Sequence, residues 1–221
     1  MKRIGLFHAT LAAIPAAESA WHAADQPVSL IHYLDEGLLG HVRRHGLEET
    51  TRRRLRCWLE LISGDGVDAI MTTCSSLSPL IADLRPHIVR PIVAIDDAMI
   101  EQALAGGPRI GIVATLASAA ETTRGLLSAS PGASALTLTT RIAHGAFEAL
   151  GCGKMEDHDR TVRDAVVELA GESDVIVLAQ LSMARALPLI KGLPIPVLTS
   201  GPGAVQRTLK AAQDAGVRPR S

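Results

Sequence analysis

The sequence repeats itself at a fixed interval, with segments of the first half recurring 106 positions later. Arg3–Leu6 (Arg-Ile-Gly-Leu) recurs as Arg109–Ile112 (Arg-Ile-Gly-Ile), an offset of 109 − 3 = 106. Asp68–Met71 recurs as Asp174–Val177, again 174 − 68 = 106. Because both matches share one register, they predict two lobes of the same structure, each about a hundred residues long.

Short aliphatic runs alternate with amphipathic stretches along both halves, which is the pattern of parallel strands joined by helices. Aromatic residues make up only 2% of the chain, so we expect aliphatic strands covered by helices on both faces. The predicted strands are Arg3–Phe7, Val28–Tyr33, Val67–Met71, Pro91–Ile95, Arg109–Ala114, Ala135–Thr139, Asp174–Leu178 and Ile195–Leu198. The predicted helices include Glu48–Ile62, Ser75–Leu84, Ala98–Leu104, Ser118–Leu127 and His158–Ala170. The fold class is therefore α/β, with a helix-flanked parallel sheet in each lobe.

The boundary between the lobes is predicted in Asp96–Gly107, where Gly106-Gly107-Pro108 interrupts the pattern. We expect residues 1–97 to form the N-terminal lobe and residues 98–202 the C-terminal lobe. Residues 203–216 predict a last helix that packs back on the first lobe.

Charge and composition exclude several classes of function. Lys and Arg total 22 against 23 Asp and Glu, a net charge of −1, so no surface for nucleic acid or an anionic membrane is predicted. No apolar run reaches the length of a membrane span, and the first is too short for a signal peptide, so we expect a cytoplasmic protein. Three cysteines without paired spacing predict neither disulfides nor a zinc site, and no nucleotide-binding motif is present. No metal and no cofactor are expected.

The loop Thr73-Cys74-Ser75-Ser76 is the strongest candidate for chemistry, because it lies between a predicted strand and a predicted helix. Ligands of open α/β sheets bind at the carboxyl ends of strands. A cysteine at a helix start is expected to have a lowered pKa and to act as a base or nucleophile, and the hydroxyls beside it can bind a carboxylate. The alternative is a small buried residue that closes the strand.

Other strand ends supply further candidates. His8 follows the first predicted strand, where three roles are open: contact with a carboxylate, donation of a proton, or capping of the strand. Gln180 is the residue that corresponds to Cys74 at the offset of 106. The remaining candidates for a substrate-binding role are Thr10, Thr73, Ser75, Ser76, Asp96, Thr115 and Ser182. Of the other cysteines, Cys57 is expected on a helix with its side chain in the hydrophobic core, and Cys152 is expected in a surface loop.

These segments together resemble the aspartate/glutamate racemase superfamily over essentially the whole chain. The resemblance rests on Ile4–Thr10, Thr73–Ser76, Ala94–Met99, Gly111–Thr115 and Val177–Met183. It implies two pseudosymmetric α/β lobes with the active site in the cleft between them, a small carboxylate substrate, no cofactor and a homodimer or higher homo-oligomer. In this family one cysteine removes the proton beside a carboxylate and a second returns it on the opposite face.

The resemblance assigns the first catalytic cysteine to Cys74, but Gln180 stands where the second is expected. Glutamine cannot exchange a proton at neutral pH. We therefore expect a family enzyme that acts on a small carboxylate through acid/base or nucleophilic chemistry of Cys74, rather than an ordinary two-cysteine racemase. The alternatives are a single-cysteine decarboxylase or isomerase, a racemase that takes its second base from His8 or water, and a protein that binds carboxylates without turnover.

Overall fold

The structure is a computed structural model that describes residues 1–11 and 13–215. The chain divides into two compact lobes. The first comprises the described residues of Met1–Asp97 and of 201–215, and the second comprises Ala98–Ser200. Among the described residues, no helix is both long enough and apolar enough to cross a membrane.

The first lobe contains a parallel sheet of four strands in the order β2-β1-β3-β4. Its strands are β1 (Lys2–His8), β2 (Val28–Leu34), β3 (Ala69–Thr72) and β4 (Ile92–Ala94). Its helices are α1 (Ala13–Ala23), α2 (Glu36–His45), α3 (Glu49–Gly64) and α4 (Ser78–Leu84), with 3₁₀ turns at Ser75–Leu77 and Arg85–His87. Apolar side chains of α2, α3 and α4 pack on the sheet, among them Leu38, Leu59 and Ile81.

The second lobe repeats this order, with a parallel sheet β6-β5-β7-β8. Its strands are β5 (Arg109–Ala114), β6 (Thr137–Ile142), β7 (Val175–Leu178) and β8 (Val197–Thr199). Its helices are α5 (Asp97–Gly106), α6 (Ala117–Ser128), α7 (Ala146–Gly151) and α8 (Met155–Ala170), with 3₁₀ helices at Ala133–Ala135 and Leu181–Leu189. The last helix, α9 (Ser200–Ala215), clusters almost entirely with the first lobe.

The second-lobe sheet is covered on both faces, as expected for a parallel sheet. Val175 and Val177 of β7 pack with side chains of α5 and α6. The alternating residues Ile176 and Leu178 pack with side chains of α8. Successive side chains of a strand point to opposite faces, so a continuous aliphatic run is required here.

The repeat found in the sequence is present as the same hydrogen bonds in both lobes. In the first, the backbone N–H of Arg3 donates to the Asp68 carboxylate at 2.8 Å. In the second, Arg109 N–H donates to Asp174 at 2.9 Å. In each lobe, an aspartate directly before the third strand in chain order (β3 or β7) thus bonds to the start of the first strand (β1 or β5).

The predicted fold class is confirmed, and all eight predicted strands appear among the described residues, β5 with its predicted bounds and the other seven with shifted ends. The largest shift is in β6, which runs from Thr137 to Ile142 because Ala133–Ala135 form a 3₁₀ turn where the strand was predicted to begin. The helix predicted over residues 203–216 is α9, and Gly216 lies outside the described residues.

Candidate active site

Cys74 lies in the loop after β3, at the carboxyl end of the first-lobe sheet. β3 ends at Thr72, Cys74 has an extended backbone, and the 3₁₀ turn Ser75–Leu77 leads into α4. The cysteine side chain is half-buried and packs against the apolar cluster of the lobe. The strand end is the usual place for a ligand in an open α/β sheet, so Cys74 is in a suitable position for chemistry.

The protonation state of Cys74 differs from the sequence-based prediction. Burial, together with the negative charge of Asp96, raises the pKa of the Cys74 thiol to about 11. Hydrogen bonds from the backbone N–H groups of Ser76 and Leu77 and from the Ser76 hydroxyl oppose this rise. The predicted lowering of the pKa is wrong, because a three-residue 3₁₀ turn offers too few N–H groups to offset the desolvation of a thiolate. At neutral pH Cys74 is a neutral thiol and therefore a proton donor.

This raised pKa predicts slow alkylation of Cys74. Its pKa lies about two units above the ordinary 9.0, so the thiolate fraction at pH 7.5 is about 100-fold lower than for an ordinary cysteine. Because a thiolate of higher pKa is also more nucleophilic, we expect iodoacetamide to modify the exposed Cys57 and Cys152 at least about tenfold faster than Cys74, as measured by peptide mass spectrometry. Alkylation of Cys74 at a rate equal to that of the exposed cysteines would contradict the assigned protonation state.

Asp96 follows β4 and is buried behind the Cys74 loop, with 1% of its surface exposed. Ser75 Oγ donates to Asp96 Oδ1 at 3.0 Å, and Ser78 Oγ donates to Oδ2 at 2.7 Å. Burial raises the pKa of Asp96 to about 6, although both hydroxyls favour the charged form. The carboxyl group that was expected to face the substrate thus contacts two serines and titrates close to neutral pH.

His8 is the last residue of β1 and is fully buried. Its Nδ1 lies 2.9 Å from Thr73 Oγ1, and its Nε2 lies 3.0 Å from His32 Nδ1. Thr73 Oγ1 donates to the Phe7 carbonyl at 3.3 Å, so it accepts the Nδ1 proton of His8 while His32 donates to Nε2. Burial, followed by the charge of His32, lowers the pKa of His8 to about 4. His8 is therefore a neutral imidazole that holds Thr73 in place.

His32, for which no role was predicted, contacts His8 in the structure. The two rings stack with their centroids 5.2 Å apart and an interplanar angle of 12°. His32 Nε2 also lies 3.7 Å from Glu18 Oε1. The strand pattern contained the signal for this contact. β2 pairs with β1 so that His32 lies opposite Leu6, and Leu6 is two residues before His8, on the same face of the sheet.

In the second lobe, Gln180 follows β7 at the position matched to Cys74 by the repeat. Thr115 N and Thr115 Oγ1 both donate to Gln180 Oε1, at 2.7 and 2.9 Å. A backbone N–H can only donate, so the accepting atom is the amide oxygen, and the NH₂ group is the end not bound by Thr115. Thr115, which was expected to hold a carboxylate, uses its hydroxyl proton to orient Gln180.

Two further candidates lie at strand ends. Thr10 is half-buried in the bend after β1, and its carbonyl accepts from the Ala13 N–H at 3.2 Å. Ser182 is half-buried in the first turn of the 3₁₀ helix that follows Gln180. Substrate contact by either residue stays a prediction.

Cys57 is exposed on α3, so the prediction that it lies in the core is wrong. The buried face of α3 includes Leu55, Leu59 and Ile62, and Cys57 lies midway between the first two, on the opposite side of the helix. Cys152 is exposed in the turn after α7, as expected. In the described part of the chain, no group of three or more His, Cys, Asp or Glu side chains is arranged to hold a metal ion.

Comparison with protein families gives one match that covers nearly the whole chain. Residues 5–208 match the model of the Asp/Glu/Hydantoin racemase family. A search of curated protein sequences finds no significant match.

Several solved structures have the same fold at low sequence identity. The allantoin racemase of Klebsiella pneumoniae is 17% identical, with a TM-score of 0.72 over 100% of this chain and 95% of its own. The aspartate racemase of Picrophilus torridus is 13% identical, with a TM-score of 0.70 over 100% and 96%. An arylmalonate decarboxylase is 18% identical, with a TM-score of 0.64 over 95% and 92%. At these identities the likeness shows the fold alone.

Proposed function

We propose that this chain, which belongs to the Asp/Glu/Hydantoin racemase family, is an enzyme that transfers a proton at the carbon beside a carboxylate of a small substrate. Cys74 is the proton-transferring group. The observation that carries the proposal is a cysteine at the carboxyl end of β3, directly before a turn that offers hydroxyl and backbone N–H donors.

The loop around Cys74 supplies donors for a carboxylate. The Ser76 hydroxyl and the backbone N–H of Ser76 lie close enough to bond the sulfur, whereas the Leu77 N–H already donates to the Cys74 carbonyl at 3.0 Å. When a substrate carboxylate gains charge as an enediolate, the same kind of fixed donor stabilises it more than it stabilises the ground state. Binding of the carboxylate and stabilisation of the intermediate are therefore assigned to the residues that start the 3₁₀ turn.

The proton step follows from the protonation state. The Cys74 thiol gives its proton to the carbanionic carbon of the enediolate, a C–H bond forms, and the sulfur is left as a thiolate. A general acid works when it holds its proton at the working pH, which a thiol with a pKa of about 11 does. In the reverse direction, the thiolate takes the α proton and the electron pair moves into the enediolate.

Gln180 is assigned to hydrogen bonding rather than to proton exchange. Thr115 occupies the amide oxygen, so the NH₂ group is the end available to donate. An amide donor stabilises a developing oxyanion without changing its own protonation. By this reasoning Thr115 contributes by orienting Gln180.

A single proton-exchanging group favours a second candidate within the same family. With Cys74 as the proton donor and a glutamine where the repeat would place a second cysteine, proton delivery from one face would give one enantiomer, as in a decarboxylation or an isomerisation. Racemisation instead needs a second base, and both ring nitrogens of His8 are already bonded to other side chains. Decarboxylation or isomerisation is therefore the second proposal, and the identity of the product separates it from racemisation.

The test is NMR in deuterated water with a panel of amino acids, hydantoins, substituted malonates and other small carboxylates. We expect α-proton exchange or turnover with at least one compound. A product of both enantiomers identifies a racemase, and a single deuterated enantiomer identifies one-sided transfer. Binding of several compounds without any exchange or turnover would contradict the enzyme proposal and favour a carboxylate-binding protein.

A further inference from the structure

The hydroxyl protons of two serines are committed to one buried carboxylate. Asp96 is 1% exposed and accepts from Ser75 Oγ at 3.0 Å and from Ser78 Oγ at 2.7 Å. A serine hydroxyl has a single proton to donate. In this arrangement Ser75 and Ser78 present only lone pairs to any further group.

This commitment conflicts with the binding of an anion by Ser75. Ser75 directly follows Cys74, and its hydroxyl is one of those expected to hold the substrate carboxylate. A hydroxyl oxygen whose proton points to Asp96 repels a second carboxylate. Two carboxylates on either side of one hydroxyl are stable only if one of them carries a proton.

Protonation of Asp96 removes the conflict without moving the backbone. A proton from solvent binds Asp96 Oδ1, and the new O–H donates to Ser75 Oγ. The hydrogen bond between them is thereby reversed, and the Ser75 hydroxyl becomes free to donate a hydrogen bond to a ligand. No covalent bond changes other than the uptake of this proton.

We propose that Asp96 is a proton-linked positioning residue for Ser75, so that binding of one substrate carboxylate at the Cys74–Ser76 loop is accompanied by uptake of one proton at Asp96. This inference rests on the proposed function, because it assigns the carboxylate to that loop.

The surroundings of Asp96 are consistent with such uptake. Three charged or titratable groups belong to its surroundings. Asp97 at the start of α5 and the Cys74 thiol interact electrostatically with Asp96, and Arg85 after α4 is hydrogen-bonded to Asp97. Asp97 is paired with Arg85 and still disfavours a second charge nearby. Burial raises the pKa of Asp96 to about 6, so its protonation costs little at neutral pH.

The test measures the dissociation constant of lactate, whose own carboxyl stays ionised across the range, from NMR shift titrations between pH 6.5 and 8.5. Uptake of one proton makes binding weaker by about tenfold per pH unit above the pKa of Asp96. In Asp96→Asn, the amide NH₂ donates permanently to Ser75. We expect this variant to bind lactate equally well at every pH, and more tightly than the wild type at pH 8.5.

One further variant and one control complete the test. Ser75→Ala removes the hydroxyl that turns, and is expected to bind weakly without a pH slope. Asp83→Asn removes a negative charge from an exposed position on α4 and is expected to retain the full slope. A wild-type dissociation constant independent of pH, or an unchanged slope in Asp96→Asn or Ser75→Ala, would overturn the inference while leaving the proposed function standing. Absence of lactate binding, and of binding by the whole carboxylate panel, would overturn both.

Discussion

Replacement of Cys74 with alanine is expected to lower the rate of the proton-transfer reaction by about 10²- to 10⁴-fold, the range of one general acid–base group. The reason is that the account gives Cys74 sole responsibility for proton exchange with the substrate. The rate of the Cys74→Ser variant is expected to be nearly as low, because an alcohol is a much weaker acid than a thiol. The measurement is the initial rate of α-proton exchange or product formation by NMR, with the substrate found in the carboxylate panel.

The matched control is Cys57→Ala, which removes an exposed thiol from the solvent side of α3. It is expected to keep the wild-type rate. A Cys74→Ala enzyme that works within threefold of the wild type would show that another group moves the proton. Circular dichroism spectra of both variants check that the fold is retained.

Replacement of Gly5 with alanine is expected to destabilise the protein by about 1–3 kcal/mol, the usual cost of overpacking a core. A Cβ atom at this position in β1 would lie 2.5 Å from Ile62 Cγ2 of α3. Ile62 is fully buried and branched at Cβ, so the clash is not relieved by rotating a flexible side chain. The measurement is the free energy of unfolding in urea.

Replacement of Gly111, the counterpart of Gly5 in the repeat, with alanine is also expected to destabilise the protein, because the added carbon would crowd the neighbouring strand β7 and the residue Ser173 before it. Its Cβ would lie 2.6 Å from Ser173 Oγ and 3.0 Å from Ile176 Cγ1. Gly125→Ala is the control, because that position in α6 has no atom within 4 Å of the added carbon. Alanine there is expected to stabilise the helix by about 0.5–1 kcal/mol. Unfolding free energies of Gly5→Ala and Gly111→Ala equal to that of the wild type would contradict the close packing around these two glycines.

The strand ends could be predicted from the sequence because aliphatic runs mark the strands directly. His8, the Cys74 loop and Gln180 were selected for that reason, and each lies at or directly after the carboxyl end of a strand. The repeat added the correspondence in position between Cys74 and Gln180, since one register relates the sequences of both lobes. These inferences need only local pattern and the rule that ligands bind at strand ends.

The partners of these residues could not be predicted in the same way, because they come from other elements. Ser78 contacts Asp96 across a separation of 18 residues, and His32 contacts His8 across 24. The direction of the Cys74 pKa shift was wrong for a related reason. Hydrogen bonds at a helix start are local, whereas burial depends on how neighbouring segments pack over the sulfur. The error at Cys57 has a local cause, because a residue midway between Leu55 and Leu59 lies on the opposite side of the helix from both.

The most direct test of the central claim is deuterium incorporation beside the carboxylate by a chain in which Cys74 is the only cysteine. This chain carries Cys57→Ser and Cys152→Ser, both at exposed positions, and is compared with the same chain after Cys74→Ala. We expect incorporation at the wild-type rate by the single-cysteine chain and a rate lower by about 10²- to 10⁴-fold for the cysteine-free chain. Equal incorporation by the two chains, or none by either, would contradict the assignment of proton transfer to Cys74.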